Sequence, residues 1–75
     1  MVNVQMLKGK VIEKGYTLEK VAENIGIDRS TMSRKLGNNG EDFTIKQADA
    51  IVTFLKLTSS EATSIFFNQF VADTR

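Results

Sequence analysis

The sequence has no cysteine, no histidine, no proline and no tryptophan in its 75 residues. Without cysteine, neither a disulfide framework nor a thiolate metal site can compensate for a small core, so stability has to come from helix packing and dimerisation. Without histidine, the commonest general base and the commonest metal ligand are both missing. The neighbouring carboxylates Glu41 and Asp42 fall in a loop with no partner base, and no phosphate-cradling glycine loop or metal-ligand spacing occurs. The expectation is a protein that is not an enzyme, with no cofactor, no metal and no small-molecule substrate. No apolar run approaches the ~20 residues needed to cross a bilayer. Met1 to Gln5 lack the basic start, apolar centre and small-residue cleavage site of a signal peptide. These absences predict a soluble, cytoplasmic chain, and its length predicts one domain over residues 1–75 whose single core is only just sufficient.

Charge is present but unevenly placed. The formal net charge is +1, yet residues 1–40 hold seven basic and four acidic side chains, whereas residues 41–75 hold three basic and five acidic. So small an imbalance fits scattered surface charge as well as a nucleic-acid footprint, and it acquires meaning only beside a motif.

Apolar residues recur at helical spacing, and the lack of proline leaves no segment forcibly broken, which predicts an all-α fold of five helices. Val4, Leu7 and Val11 mark the inner stripe of the first, capped by Asn3, weakened by Gly9 and stopped by Gly15. Thr17 caps the second, whose stripe is Leu18, Val21, Ala22 and Ile25, closed by Gly26. Asp28 caps the third, with Met32 and Leu36 inward and a stop at Gly37 followed by Asn38, Asn39 and Gly40. Thr44 and Gln47 have capping-box spacing, opening a fourth helix with Ile45, Ala48, Ile51, Val52 and Leu55 facing in. Thr58 and Glu61 repeat that spacing before Ala62, Ile65, Phe66 and Phe70, and Asp73 to Arg75 read as a frayed end. The Asn39-Gly40 pair is also a hairpin-turn signal, but its flanks lack period-two alternation, so a hairpin is rejected.

The spacing Val21-Ala22, Ile25-Gly26-Ile27, Met32 and Leu36 carries a physical logic. Two helices meeting steeply through a short turn need a small side chain at their approach, which Ala22 supplies. Gly26 allows the left-handed backbone of the turn, where a Cβ would cost on the order of 1 kcal/mol. Ile27 then returns to the core, and Met32 and Leu36 anchor the second helix of the pair.

With these residues in place, the stretch Leu18-Glu-Lys-Val-Ala-Glu-Asn-Ile-Gly-Ile-Asp-Arg-Ser-Thr-Met-Ser-Arg-Lys-Leu36 resembles the helix-turn-helix regulators of the phage repressor and Cro class, the XRE family. A weaker likeness extends through Leu57 to Glu61 and Ile65-Phe66-Phe67. Two positions depart: many members carry Gln where Leu18 stands, which removes a phosphate contact, and an apolar residue where Lys35 stands, which passes the anchoring to Leu36. The resemblance implies a lambda-repressor-like domain with the helix-turn-helix in its second and third helices. It also implies that the helix after the turn lies in the DNA major groove. Arg29, Ser30, Ser33 and Arg34 would then face base edges, the arginines with bidentate capacity for guanine. Backbone contacts would come from Thr17, Thr31, Lys35, Asn38, Asn39 and Lys46, the last a cation in a first turn where the helix dipole disfavours it.

Plainer readings stand beside these. Arg29, Arg34 and Lys35 also suit a solvated face, Thr17, Thr44 and Thr58 suit caps, and Asn38 and Asn39 suit a helix stop. Phe66, Phe67 and Phe70 are normally core residues, yet all three cannot face inward from one helix, so they are also the expected dimer interface within Ile65 to Val71. Regulators of this size pair about a two-fold axis on palindromic half-sites about 34 Å apart. The expected partners are thus a double-stranded DNA operator and a second copy of the chain, with no membrane, in a bacterial cell or phage-infected host. The alternative is a helical protein-binding adaptor that sequesters another regulator without touching DNA, supported by the modest net charge and the surplus phenylalanine.

Overall fold

A computed structural model describes residues 2–66. Five α-helices follow in order: α1 (Val4–Glu13), α2 (Leu18–Ile25), α3 (Arg29–Gly37), α4 (Ile45–Leu55) and α5 (Ser59–Phe66), with no strand among the described residues. The expectations for Phe67, Phe70 and Val71 fall outside the described residues.

Each helix begins where a short oxygen-bearing side chain can satisfy an orphan amide. Asn3 accepts from the Met6 amide at 3.1 Å, Thr17 from that of Lys20 at 3.1 Å, and Asp28 from that of Thr31 at 2.7 Å. Thr44 and Gln47 form the reciprocal capping box, at 3.0 and 3.1 Å. Thr58 and Glu61 form the second, at 3.1 and 2.9 Å.

The helix ends are equally specific. After α2, the Gly26 amide donates to Glu23 O (3.2 Å) and the Ile27 amide to Ala22 O (3.0 Å), the paired bonds of a Schellman closure around a left-handed residue, Gly26 at φ +84°. Gly15, also at φ +84°, closes α1 in the same way, through bonds from Gly15 to Ile12 and from Tyr16 to Val11. The end of α3 differs from expectation. Gly37 is still helical, and the left-handed residue is Asn39 (φ +61°), with its amide on Leu36 O and the Gly40 amide on Lys35 O. Asparagine tolerates that conformation because its short side chain can bond locally, so the stop falls two residues later than glycine alone suggests. The end of α4 had no glycine signal at all, and Lys56 takes the left-handed place at φ +55°.

One apolar cluster draws on all five helices: Leu7, Val11, Val21, Ala22, Met32, Leu36, Ile51, Leu55, Ile65 and Phe66. Each large side chain buried in this way stabilises the fold by roughly 1.5–3 kcal/mol before entropy is counted. Helix α2 is the hub, packing on α1, α3 and α4, while α1 also packs on α5. Lys10 of α1 pairs with Glu61 of α5 at 2.6 Å, and the Asn3 amide donates to Ile65 O at 2.7 Å, so the chain's first and last described elements are tied together.

One inward expectation needs refining. Ile45 is on the stripe of α4 by spacing but is 86% exposed, at the edge of an open apolar groove of about 330 Å³ that Val2, Phe43, Ala48, Val52 and Phe66 also line. Phe66 is only 8% exposed and belongs to the core cluster, the plainer of its two expected places. The geometry is that of α5: Ile65 and Phe66 both meet the interior formed by its neighbours, which uses up the inward face.

Candidate nucleic-acid interface

The turn between α2 and α3 consists of Gly26, Ile27 and Asp28. Gly26 reverses the chain, Ile27 is half-buried against the core, and Asp28 caps the new helix. Ala22 is buried, as a site of close helix approach requires. The two side chains that fix the rotation of α3 are Met32, fully buried, and Leu36, 7% exposed. Leu36 thus anchors the helix, as the charged residue at position 35 demands.

With Met32 and Leu36 inward, positions 29, 30, 33, 34 and 37 form the opposite stripe, and every one of them is exposed. The four expected base-reading residues, Arg29, Ser30, Ser33 and Arg34, therefore share one face of one helix. Gly37 ends that face with no side chain. Arg29 Nη1 donates to Ser33 Oγ one turn on. At the head of the helix the Asp28 carboxyl is held below its ordinary range, first by the Thr31 backbone amide and then by the Thr31 side chain, with the positive charge of Arg34 adding to the effect. The cap therefore stays ionised at neutral pH.

The residues expected to meet the backbone divide into three places. Thr17 is exposed at the start of α2, where its oxygen is occupied by the Lys20 amide but its hydroxyl proton remains available to an acceptor. Thr31 is half-buried behind the exposed stripe, and Lys46 is exposed in the first turn of α4, which has no acidic residue to offset it. Lys35, Asn38 and Asn39 gather at the end of α3. There the ammonium of Lys35 donates to the backbone carbonyl of Asp42 at 2.8 Å and stands 5.9 Å from the centre of the Phe43 ring. Asn38 Nδ2 donates to the Asp42 carboxylate at 3.0 Å. Asn39 accepts from the Val2 amide at 3.3 Å, and its conformation belongs to the helix stop.

Asp42 and Phe43 are the members of this surface that sequence reasoning missed. They reach Lys35 across a turn of two asparagines and a glycine, and no periodicity relates residues seven apart over such a reversal. A polar loop carrying two carboxylates beside a basic helix end was the only signal available.

The arrangement is suited to holding anions and hydrogen-bond acceptors, with guanidinium forks flanked by short hydroxyls on a convex helical face. Among the described residues no group of acidic side chains could hold a metal ion, and no helix is long and apolar enough to cross a membrane. No family model, curated protein or solved structure matches the chain.

Proposed function

We propose that this chain is a sequence-specific DNA-binding transcriptional regulator of the repressor and Cro type, at work in a bacterial cell or phage-infected host. It uses α2 and α3 as a helix-turn-helix within a lambda-repressor-like domain. The observation that carries the reading is the exposed stripe Arg29, Ser30, Ser33 and Arg34 on α3, set opposite Met32 and Leu36 and presented by the Gly26–Asp28 turn. In the major groove such a stripe places two arginine forks against base edges, each good pair on guanine being worth about 1–3 kcal/mol of discrimination. Thr17, Thr31, Lys35, Asn38, Asn39 and Lys46 then fix register through phosphates, which carry affinity and salt dependence but no sequence information. A homodimer on a palindromic operator completes the reading, since one helix covers only a few base pairs. The dimer surface belongs to the same reading, at the expected Phe66, Phe67 and Phe70, of which the described residues include Phe66 alone.

The test is selection from a randomised duplex pool at two salt concentrations. Enrichment of a palindrome by the wild type, relaxed in Arg34→Ala, supports the reading; retention only at low salt with no enriched sequence counts against it.

One observation favours a second reading. The apolar groove under α4, with Ile45 86% exposed at its rim, is a surface that a protein partner could cover, as an adaptor holding another regulator would require. An adaptor loses its partner on Ile45→Asp and is indifferent to Arg34→Ala.

A further inference from the structure

The carboxylate of Asp42 occupies an unusual place. It accepts from Asn38 Nδ2 at 3.0 Å, and its own backbone carbonyl accepts from the ammonium of Lys35 at 2.8 Å. Both donors belong to the last turn and cap of α3, the part of the helix that follows the exposed arginine stripe. An amide donor and an ammonium at a helix end are donors that phosphate oxygens use on DNA-binding surfaces. Here an internal carboxylate holds the amide, and a backbone carbonyl of the same residue holds the ammonium.

The loop that delivers Asp42 is fixed. The Gly40 amide donates to Lys35 O (2.8 Å), the Glu41 amide to Asn38 O (3.2 Å) and the Phe43 amide to Gly40 O (3.3 Å), while Phe43 packs on the core and beneath the Lys35 ammonium. Gly40 is buried against Val2, with no room for a side chain: a Cβ there would lie 2.6 Å from that of Val2. The backbone therefore keeps Asp42 at the end of α3. Only exposed side chains are free to exchange partners, namely the Asp42 carboxylate and the Asn38 amide.

We propose that Asp42 is an internal phosphate mimic. In the free protein its carboxylate holds the Asn38 amide, and a DNA phosphate must displace it to gain that donor. This rests on the DNA-binding reading and adds a regulatory element to it: the displaced carboxylate weakens backbone contact uniformly, lowering retention on every sequence without altering which base is read. Removal of one exposed charge and its competing hydrogen bond raises affinity roughly two- to fivefold, the range of exposed ion-pair energies.

The experiment is a fluorescence-anisotropy titration of one duplex by the full chain as wild type, Asp42→Ala, Glu41→Ala, Asn38→Ala and the Asn38→Ala, Asp42→Ala double variant. Circular dichroism first establishes equal helicity. Asp42→Ala is expected to tighten binding roughly two- to fivefold, and more than Glu41→Ala, which removes the same charge from the neighbouring residue. The excess should disappear in the Asn38→Ala background, because the hydrogen bond through which Asp42 competes is then gone. Equal gains from Glu41→Ala and Asp42→Ala, or an undiminished gain without Asn38, would overturn the mimic while leaving DNA binding intact. Failure of the wild type to bind any duplex overturns the DNA-binding reading itself, and the mimic with it.

Discussion

Four helices close on left-handed residues of three kinds, Gly15 and Gly26, Asn39, and Lys56, and the difference in side chain sets a difference in strain. At Gly26 nothing lies within 4 Å of a built Cβ, so Gly26→Ala meets only the conformational penalty, about 1–2 kcal/mol. Gly40, at φ +71°, carries that penalty together with the 2.6 Å approach to Val2, whose amide is bonded to Asn39. Gly40→Ala should therefore lower the urea midpoint further than Gly26→Ala does, and equal midpoints would show that the Val2 contact yields freely. Lys56 is the reverse case, a residue with a Cβ where glycine is least strained. Lys56→Gly is expected to stabilise the fold by up to about 1 kcal/mol in the same unfolding experiment. Gly15 and Gly26 were legible as stops because glycine announces them. Lys56 was not, because its backbone obeys the core contacts of Leu55 and Leu57 on either side and leaves no trace in residue type.

At the scale of the element, the starts of helices were read more accurately than their ends. Asn3, Thr17, Asp28, Thr44 and Thr58 all accept amide bonds three residues on, since capping depends on one side chain and one spacing. Thr17→Ala should cost about 1 kcal/mol through loss of the α2 cap. Because the hydroxyl is also an expected phosphate contact, the DNA-binding reading adds a loss of duplex affinity that Thr17→Ser does not share. The pairing of α1 with α5 gives a pH prediction. The Lys10 ammonium, followed by the Thr58 amide, lowers the Glu61 carboxyl from 4.5 to about 2. A depressed carboxyl contributes stability that is present above its ordinary value and is lost as pH falls towards the folded one. Thermal melts of wild type and Glu61→Gln, in which the cap acceptor survives, should thus differ at pH 7 and converge between pH 4.5 and about 2. A constant gap across that range would mean that the ion pair contributes nothing. The Lys10 to Glu61 contact was invisible in the sequence, since it joins helices at opposite ends of the described chain, whereas the i, i+3, i+4 stripes that bury Leu7, Val21, Met32 and Ile51 were plain in it.

Among the described residues, the molecule presents both of its arginines on one exposed stripe of a helix whose rotation is fixed by two inward anchors, Met32 and Leu36. Truncating Met32 to alanine should destabilise the fold by about 2–5 kcal/mol, as expected for a fully buried side chain. The stripe itself was legible from the turn spacing, because a buried small residue, a left-handed glycine and two apolar anchors together determine which side of α3 faces out. What covers Lys35 and Asn38 was not, since it depends on where the 40–43 loop lands after folding. Base reading by Arg34, as proposed, is measured by the ratio of affinities for a selected duplex and its scrambled counterpart at fixed salt. Arg34→Ala is expected to lower the ratio by about ten- to a hundredfold, in line with one lost bidentate pair, while affinity for the scrambled duplex falls only slightly. An unchanged ratio, with both affinities reduced together, would contradict it and reduce Arg34 to a phosphate contact.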